Sequence, residues 1–159
     1  MNENNLEKII NNIVGDAIVK EVMSLKLAVK LIETVEEKAA EMGLAVVAAV
    51  SDASGRPIAV HCMDGAYHGS FDVAVNKTYT STAFQMSTAK LSRLCQPGQD
   101  LYGLQFSNNG KVMILGGGEP LMVGKTMIGA LGVSGGSAQE DSDLAAYGAS
   151  ALKEVIKCL

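Results

Sequence analysis

The sequence predicts an α+β domain, a central antiparallel sheet of about five strands flanked by helices. Three observations point there. Several stretches read as helices, the short apolar runs among them are joined by tight turn signals, and no alternating βα rhythm or internal repeat is present. At 159 residues the chain has the size of one ordinary domain with one core.

The first helical stretch, residues 4–22, carries Leu6, Ile9, Ile10, Ile13, Val14, Ala17 and Ile18 with Asn, Glu and Lys between them. A second starts at Ser24, an N-cap residue, and runs through Leu27, Leu31, Ile32, Val35 and Ala39 to Gly43, a helix stop. Two helices so close together make 1–23 an appendage and 24–159 the domain. The runs 44–52 and 57–63 read as strands around the turn Asp-Ala-Ser-Gly-Arg. Ser70 then caps a helix to about Met86, and Ser87 or Thr88 a shorter one ending before Gln96-Pro97-Gly98. Asn108-Asn109-Gly110 is a turn, 111–116 and 126–134 are strands, and Asp141 to Lys157 is the closing helix.

Composition removes several function classes. A net charge of −4 without a basic patch argues against nucleic acid. Absent Trp and 4% aromatics leave no base-stacking platform. No apolar run is long enough to span a membrane, so the high apolar content of 48% points to a subunit interface. The polar, acidic N-terminus does not read as a secretory signal, and three widely spaced cysteines, Cys62, Cys95 and Cys158, fit reduced thiols in a cytosol.

Gly124-Lys125-Thr126 imitates the end of a phosphate-binding loop. Gly118 stands one residue too far upstream, Glu119 occupies the glycine position, Pro120 lacks an N–H, and a strand pattern follows. No nucleotide is expected, and Gly124-Lys125 reads as a hairpin turn. The glycines Gly116, Gly117 and Gly118 and the run Ser134-Gly135-Gly136 allow close backbone approach and rim a pocket or a subunit contact.

The only histidines, His61 and His68, flank Cys62 and Asp64, a donor set suited to a transition metal or haem iron, although the spacing matches no zinc signature. His68, beside Gly65 and Gly69, is the accessible one and the candidate metal ligand. Lys77 lies in a helix rich in hydroxyls (Thr78, Tyr79, Thr80, Ser81, Thr82) that suit a polar cavity or another subunit; a buried Lys77 pairs with Asp64 or Asp72. Glu33, Glu36, Glu37 and Glu41 read as a solvated face. No catalytic triad assembles.

Several segments in order resemble a known family: 63-MDGA-66, 77-KTYTSTAF-84 with Thr88, 96-QPGQDLYGLQ-105, 116-GGGEPL-121, and 129-GALGVSGG-136 followed by Asp141 and Ala145. Together they resemble the GlcG/HbpS family, and most closely the C-terminal domain of PduO-type corrinoid adenosyltransferases. The resemblance implies a profilin-like fold, a homo-oligomer that is often an octamer, haem binding in some members, and a role in haem sensing or cobalamin-related metabolism. The candidate cofactor residues, around a pocket near His68, Lys77 and the glycine-rich segments, are His68, His61, Asp64, Lys77, Thr82, Thr88, Gly117 and Gly118. Cys62 stands where the family commonly has Arg, and Thr78 and Ser81 interrupt a run that is usually Ala-rich. Residues 1–22 resemble short encapsulation helices that direct enzymes into bacterial microcompartments, where shell or lumen proteins would be the partners.

The expectation is therefore a non-catalytic, cytoplasmic homo-oligomer that binds haem or a related tetrapyrrole, linked to cobalamin-dependent or microcompartment metabolism. The alternatives are a haem-free microcompartment accessory protein and an enzyme using Lys77 and Asp64 as acid and base.

Overall fold

The computed structural model describes residues 22–159; the helical pattern over 4–22 lies outside the described residues, except for Val22. Helix α1, Leu25–Glu41, is capped by the Ser24 hydroxyl, which accepts from the Leu27 N–H at 3.1 Å. It buries Leu27, Leu31, Ile32 and Val35 and is followed by Gly43 at φ +71°. Strands β1, Val47–Asp52, and β2, Pro57–Cys62, form a hairpin. Its turn is closed by Asp52 Oδ1, which accepts from Ser54 N and Arg56 N. Helices α2, Ser70–Phe84, and α3, Thr88–Leu94, follow, then β3, Gly118–Val123, β4, Thr126–Ser134, and α4, Ala138–Lys157.

The sheet is antiparallel throughout in the order β2-β1-β4-β3. β1 and β4 are central and buried. Helices α1 and α4 cover one face, over Ala48, Val50, Leu121, Leu131 and Val133. They run in opposite directions: Lys26 near the start of α1 donates to Leu159 O beyond α4, and Val35 packs where Gly148 has no side chain. Helix α2 covers the other face, over Val47 and Ala49.

That second contact is unusually close because two glycines sit opposite each other under α2. Gly118 pairs with Gly132 across β3 and β4. A Cβ on Gly132 would meet the Ala74 carbonyl oxygen, and one on Gly118 would lie 2.9 Å from the Lys77 carbonyl oxygen. The helix backbone therefore rests directly on the sheet, and any side chain there would lift it.

The sheet departs from expectation in one place. Four strands form among the described residues, where about five were expected, and the strand placed at 111–116 belongs instead at 118–123. Val112 does bury, in a small cluster with Leu91 and Cys95 in the long connection between α3 and β3, and half-buried Ile114 packs against it. The backbone there is held by a side chain: Met113 N donates to Thr80 Oγ1 at 2.8 Å. The Gly-Glu-Pro start of the true strand is tolerable because β3 is an edge. Val133 N donates to Gly117 O, so the antiparallel alternation turns the Pro120 nitrogen to the outer side, away from β4. Helix bounds shift as well. Ser70 is the first residue of α2, preceded by Gly69, and α4 begins three residues early at a capping box in which Ser137 and Glu140 exchange bonds.

Substituting Gly132→Ala should cost about 3 kcal/mol or more, since the new methyl meets backbone that cannot rotate away. Urea unfolding should show a lowered midpoint, whereas Gly124→Ala, in open space but at φ +60°, should lose only about 1 kcal/mol.

Candidate functional site

Lys77 is 1% exposed, the largest side chain so deeply buried. It leaves α2, rounds the end of β4, and donates to Val133 O at 2.6 Å and to Asp141 Oδ2 at 2.8 Å. Asp141, in the first turn of α4, accepts on its other oxygen from Gly136 N at 2.9 Å. The pair is possible because Gly117, at φ +110°, has no side chain: a Cβ there would sit 2.8 Å from Lys77 Nζ and 2.7 Å from Asp141 Cβ. Burial pushes the Lys77 ammonium below its ordinary value, partly offset by the hydrogen bond and charge of Asp141. The expected partners Asp64 and Asp72 are not used; both are exposed and lie at or before the start of α2. Lys77 thus cannot act with Asp64 as an acid–base pair, because its three protons are committed or enclosed.

Most threonine hydroxyls around α2 are occupied as well. Thr82 donates to Thr78 O and Tyr79 O within the helix. Thr80 donates to Asn76 O and receives Met113 N. Thr88, opening α3, accepts from Gly118 N at 2.8 Å. Thr80 and Thr88 thus satisfy the backbone of the segment 111–118, and Thr82 bonds its own helix. Ser81 Oγ, beside Gly118, is buried without a partner.

Of the candidate cofactor residues, the structure brings Lys77, Thr88, Gly117 and Gly118 together as a buried knot. It leaves His61, Asp64 and His68 elsewhere. His61 lies 3.2 Å from the Glu36 carboxylate of α1, tying β2 to that helix. Glu36 is therefore a partner and not simply part of a solvated face; Glu33 and Glu41 are exposed and pair with Lys30 and Lys38 on the same helix. Cys62 points out to solvent, away from His61. His68 is exposed in the loop before α2, next to Tyr67, 74% exposed, and near Phe71, 45% exposed. No described group of three His, Cys, Asp or Glu could hold a metal ion. Gly124 and Lys125 form the β3–β4 turn, and Thr126 opens a strand.

Two features escaped sequence reasoning. Glu119 in β3 is half-buried, and desolvation raises its carboxyl above the ordinary glutamate value. A groove of about 570 Å³ runs between the β3–β4 hairpin and the second half of α4. Asp141 was visible only as a family marker; its place at the start of a helix after Gly135-Gly136 was the available signal.

Residues 23–150 match a family model described as haem degrading protein HbpS-like. The chain belongs to the HbpS-like family. A relative in Citrobacter freundii, an uncharacterized 15.0 kDa protein in the dhaT-dhaS intergenic region, is 39% identical over 123 residues, 77% of this chain and 87% of that one. The corrinoid adenosyltransferase PduO of Salmonella typhimurium is 38% identical over 109 residues, 69% of this chain and 32% of PduO. The match thus spans about a third of that enzyme. Among solved structures, a PduOC:heme complex superposes with a TM-score of 0.78 at 35% identity, over 82% of this chain and 94% of that one. The α+β class and the family resemblance drawn from the sequence both hold. Among the described residues no helix is long and apolar enough to cross a membrane.

Removing one partner of the buried pair should be severe: Lys77→Met or Asp141→Asn should each cost about 3–5 kcal/mol in denaturant unfolding. The double variant Lys77→Met with Asp141→Leu should cost clearly less than the sum. For Glu119, a folded-state value raised above the unfolded one means stability is fullest below about pH 4.5 and is lost as pH rises through the folded value. Glu119→Gln should therefore melt higher than the parent at pH 7, with the gap closing towards pH 4.

Proposed function

We propose that this protein is a homo-oligomeric ligand-binding member of its family that takes haem or a related tetrapyrrole, with His68 as the axial ligand. The observation that carries this reading is the position of His68, an exposed imidazole beside two exposed aromatic side chains, in a chain 35% identical to one solved with haem. Haem supplies an iron that accepts an imidazole nitrogen and a flat apolar face that aromatic rings can cover. Tyr67 and Phe71 offer such a surface. His68 and Tyr67 stand on the open surface of the chain, so in this reading one chain provides a single wall and a second copy supplies the other. Binding is favoured over catalysis by the state of the reactive groups. Lys77 is locked by Asp141, and Cys95 is buried with its thiol pushed up by desolvation. A setting in corrinoid metabolism is part of the proposal and rests on the kinship with PduO.

Titrating the purified protein with hemin should produce a Soret band saturating at a fixed ratio per chain. His68→Ala, an exposed change that leaves the circular dichroism intact, should weaken binding about tenfold or more. No spectral shift at stoichiometric hemin rejects the reading. A band that forms and then decays faster than that of free hemin favours the degradation named in the family description instead.

A further inference from the structure

The most exposed large apolar side chain among the described residues is Phe106, at 81%. It stands in the long connection between α3 and β3 with Tyr102, 62% exposed. The loop that carries them is anchored. Leu101 and Leu104 pack against the cluster of Leu91 and Val112, and Leu101 N donates to Leu94 O. Gly103, at φ +93°, leads into a short 3₁₀ turn, Leu104–Phe106, and Ser107 Oγ donates to Leu104 O at 2.7 Å. Asn108 Nδ2 donates to Tyr79 Oη at 2.7 Å and ties the turn to α2. Two leucines thus hold the loop down while two aromatic rings stand out from it. A ring positioned before contact loses little freedom on burial, which suits it to anchor an interface.

A matching hollow lies on the same side of the sheet. It has a volume of about 510 Å³ and is lined by Gln85, Pro120, Met122, Lys125 and Met127. Pro120, two residues after Gly118, shares the α2 face of β3. Gln85 sits between Phe84 and Met86, both packed against the cluster that anchors the loop. Ring and hollow are therefore neighbours on one face. A two-fold contact needs that arrangement, since each copy then gives a ring and receives one. An enclosed cavity of about 150 Å³ already takes benzene, so the hollow has room for a phenyl ring. Its chemistry fits as well, because methionine sulfurs pack at ring edges and the Lys125 ammonium can lie over a ring face. The larger groove beside α4 lies on the opposite face of the sheet, away from the loop.

The area is that of a contact between whole chains. Aromatic side chains bury about 150–250 Å² each, so Tyr102 and Phe106 leave roughly 200–350 Å² uncovered. Each partner in a stable contact buries about 800 Å², and these two rings alone supply roughly a quarter or more of it. Reciprocity adds the hollow on each chain to that sum.

We propose that Phe106 of one chain enters the hollow of a second copy, between Gln85 and the β3–β4 hairpin, and that the second copy returns the contact. The inference rests on the self-association proposed above and not on haem. His68 precedes α2 and Gln85 follows it, a separation of about 22 Å along the helix. The contact is thus distinct from a wall built around His68, and chains using both assemble beyond a dimer.

Phe106→Asp, an exposed change, should keep the circular dichroism of the parent. It should weaken self-association about thirtyfold or more, so that light scattering reads half the parent's mass or less. Met122→Asp, at the exposed rim of the hollow, should do the same. The chain has no Trp, so Phe106→Trp reports burial by emission at short wavelength, which Met122→Asp should move to longer wavelength. The parent mass kept by folded Phe106→Asp, a monomeric parent, or long-wavelength emission from assembled Phe106→Trp overturns the contact. Short-wavelength emission from a monomer places the ring in its own chain and overturns it too. Hemin should still give a Soret band with Phe106→Asp. A band lost only in that variant places the ring in the haem site and overturns the proposal, whereas a band absent from the parent, with the mass still halved by Phe106→Asp, rejects the haem reading and supports this contact.

Discussion

Everything about the end of the sheet follows from one buried ion pair. Lys77 belongs to the helix on one face and Asp141 to a helix on the other, and they meet at 2.8 Å around the end of β4. Such a pair is costly to desolvate and is stable only when its remaining protons and lone pairs are met. Here Val133 O and Gly136 N meet them, and Gly117 makes the space. The three layers of the domain are thus fastened at one point by charge, while elsewhere they are held by shape. The same demand explains the hydroxyls of α2. A helix that lies directly on Gly118 and Gly132 has room only for small groups at those contacts, and the Thr80 hydroxyl bonds the nearby loop backbone.

Much of this was legible in the residues. The caps Ser24 and Ser87, the stop at Gly43 and the Gly124-Lys125 turn each follow from local chemistry, and each stands where that chemistry puts it. The failures share a cause. The run 111–116 has strand composition, but its fate was decided by Thr80, more than thirty residues away. Lys77 was rightly suspected of burial, yet its partner lies 64 residues on, beyond the reach of local pattern. A tertiary bond between distant residues leaves little trace in periodicity. The candidate site was less legible than the fold, because the residues that looked reactive prove to be its fasteners, and the accessible ones sit apart from them.

That separation matters for how ligand binding could vary among related chains. The buried knot of Lys77, Asp141, Thr88 and the glycines is under strict steric demand, whereas the loop bearing Tyr67 and His68 touches little. Changes in that loop alter what the surface offers without disturbing the frame. Conversely, a change at Gly117 would spoil the frame without touching any exposed atom of the Tyr67–His68 loop.

The outward-facing nitrogen of Pro120 carries a consequence for assembly. The sheet has two free edges, and free edges invite strand addition between copies. At the middle of β3 the outer edge lacks a donor, and β2 opens with another proline, Pro57. The β3 border therefore offers no unbroken ladder to a neighbouring chain, whereas on β2 the proline stops only the first position. Strand addition at β3 would lack a hydrogen bond at its middle, which disfavours the edge-to-edge growth that runs on into a fibre.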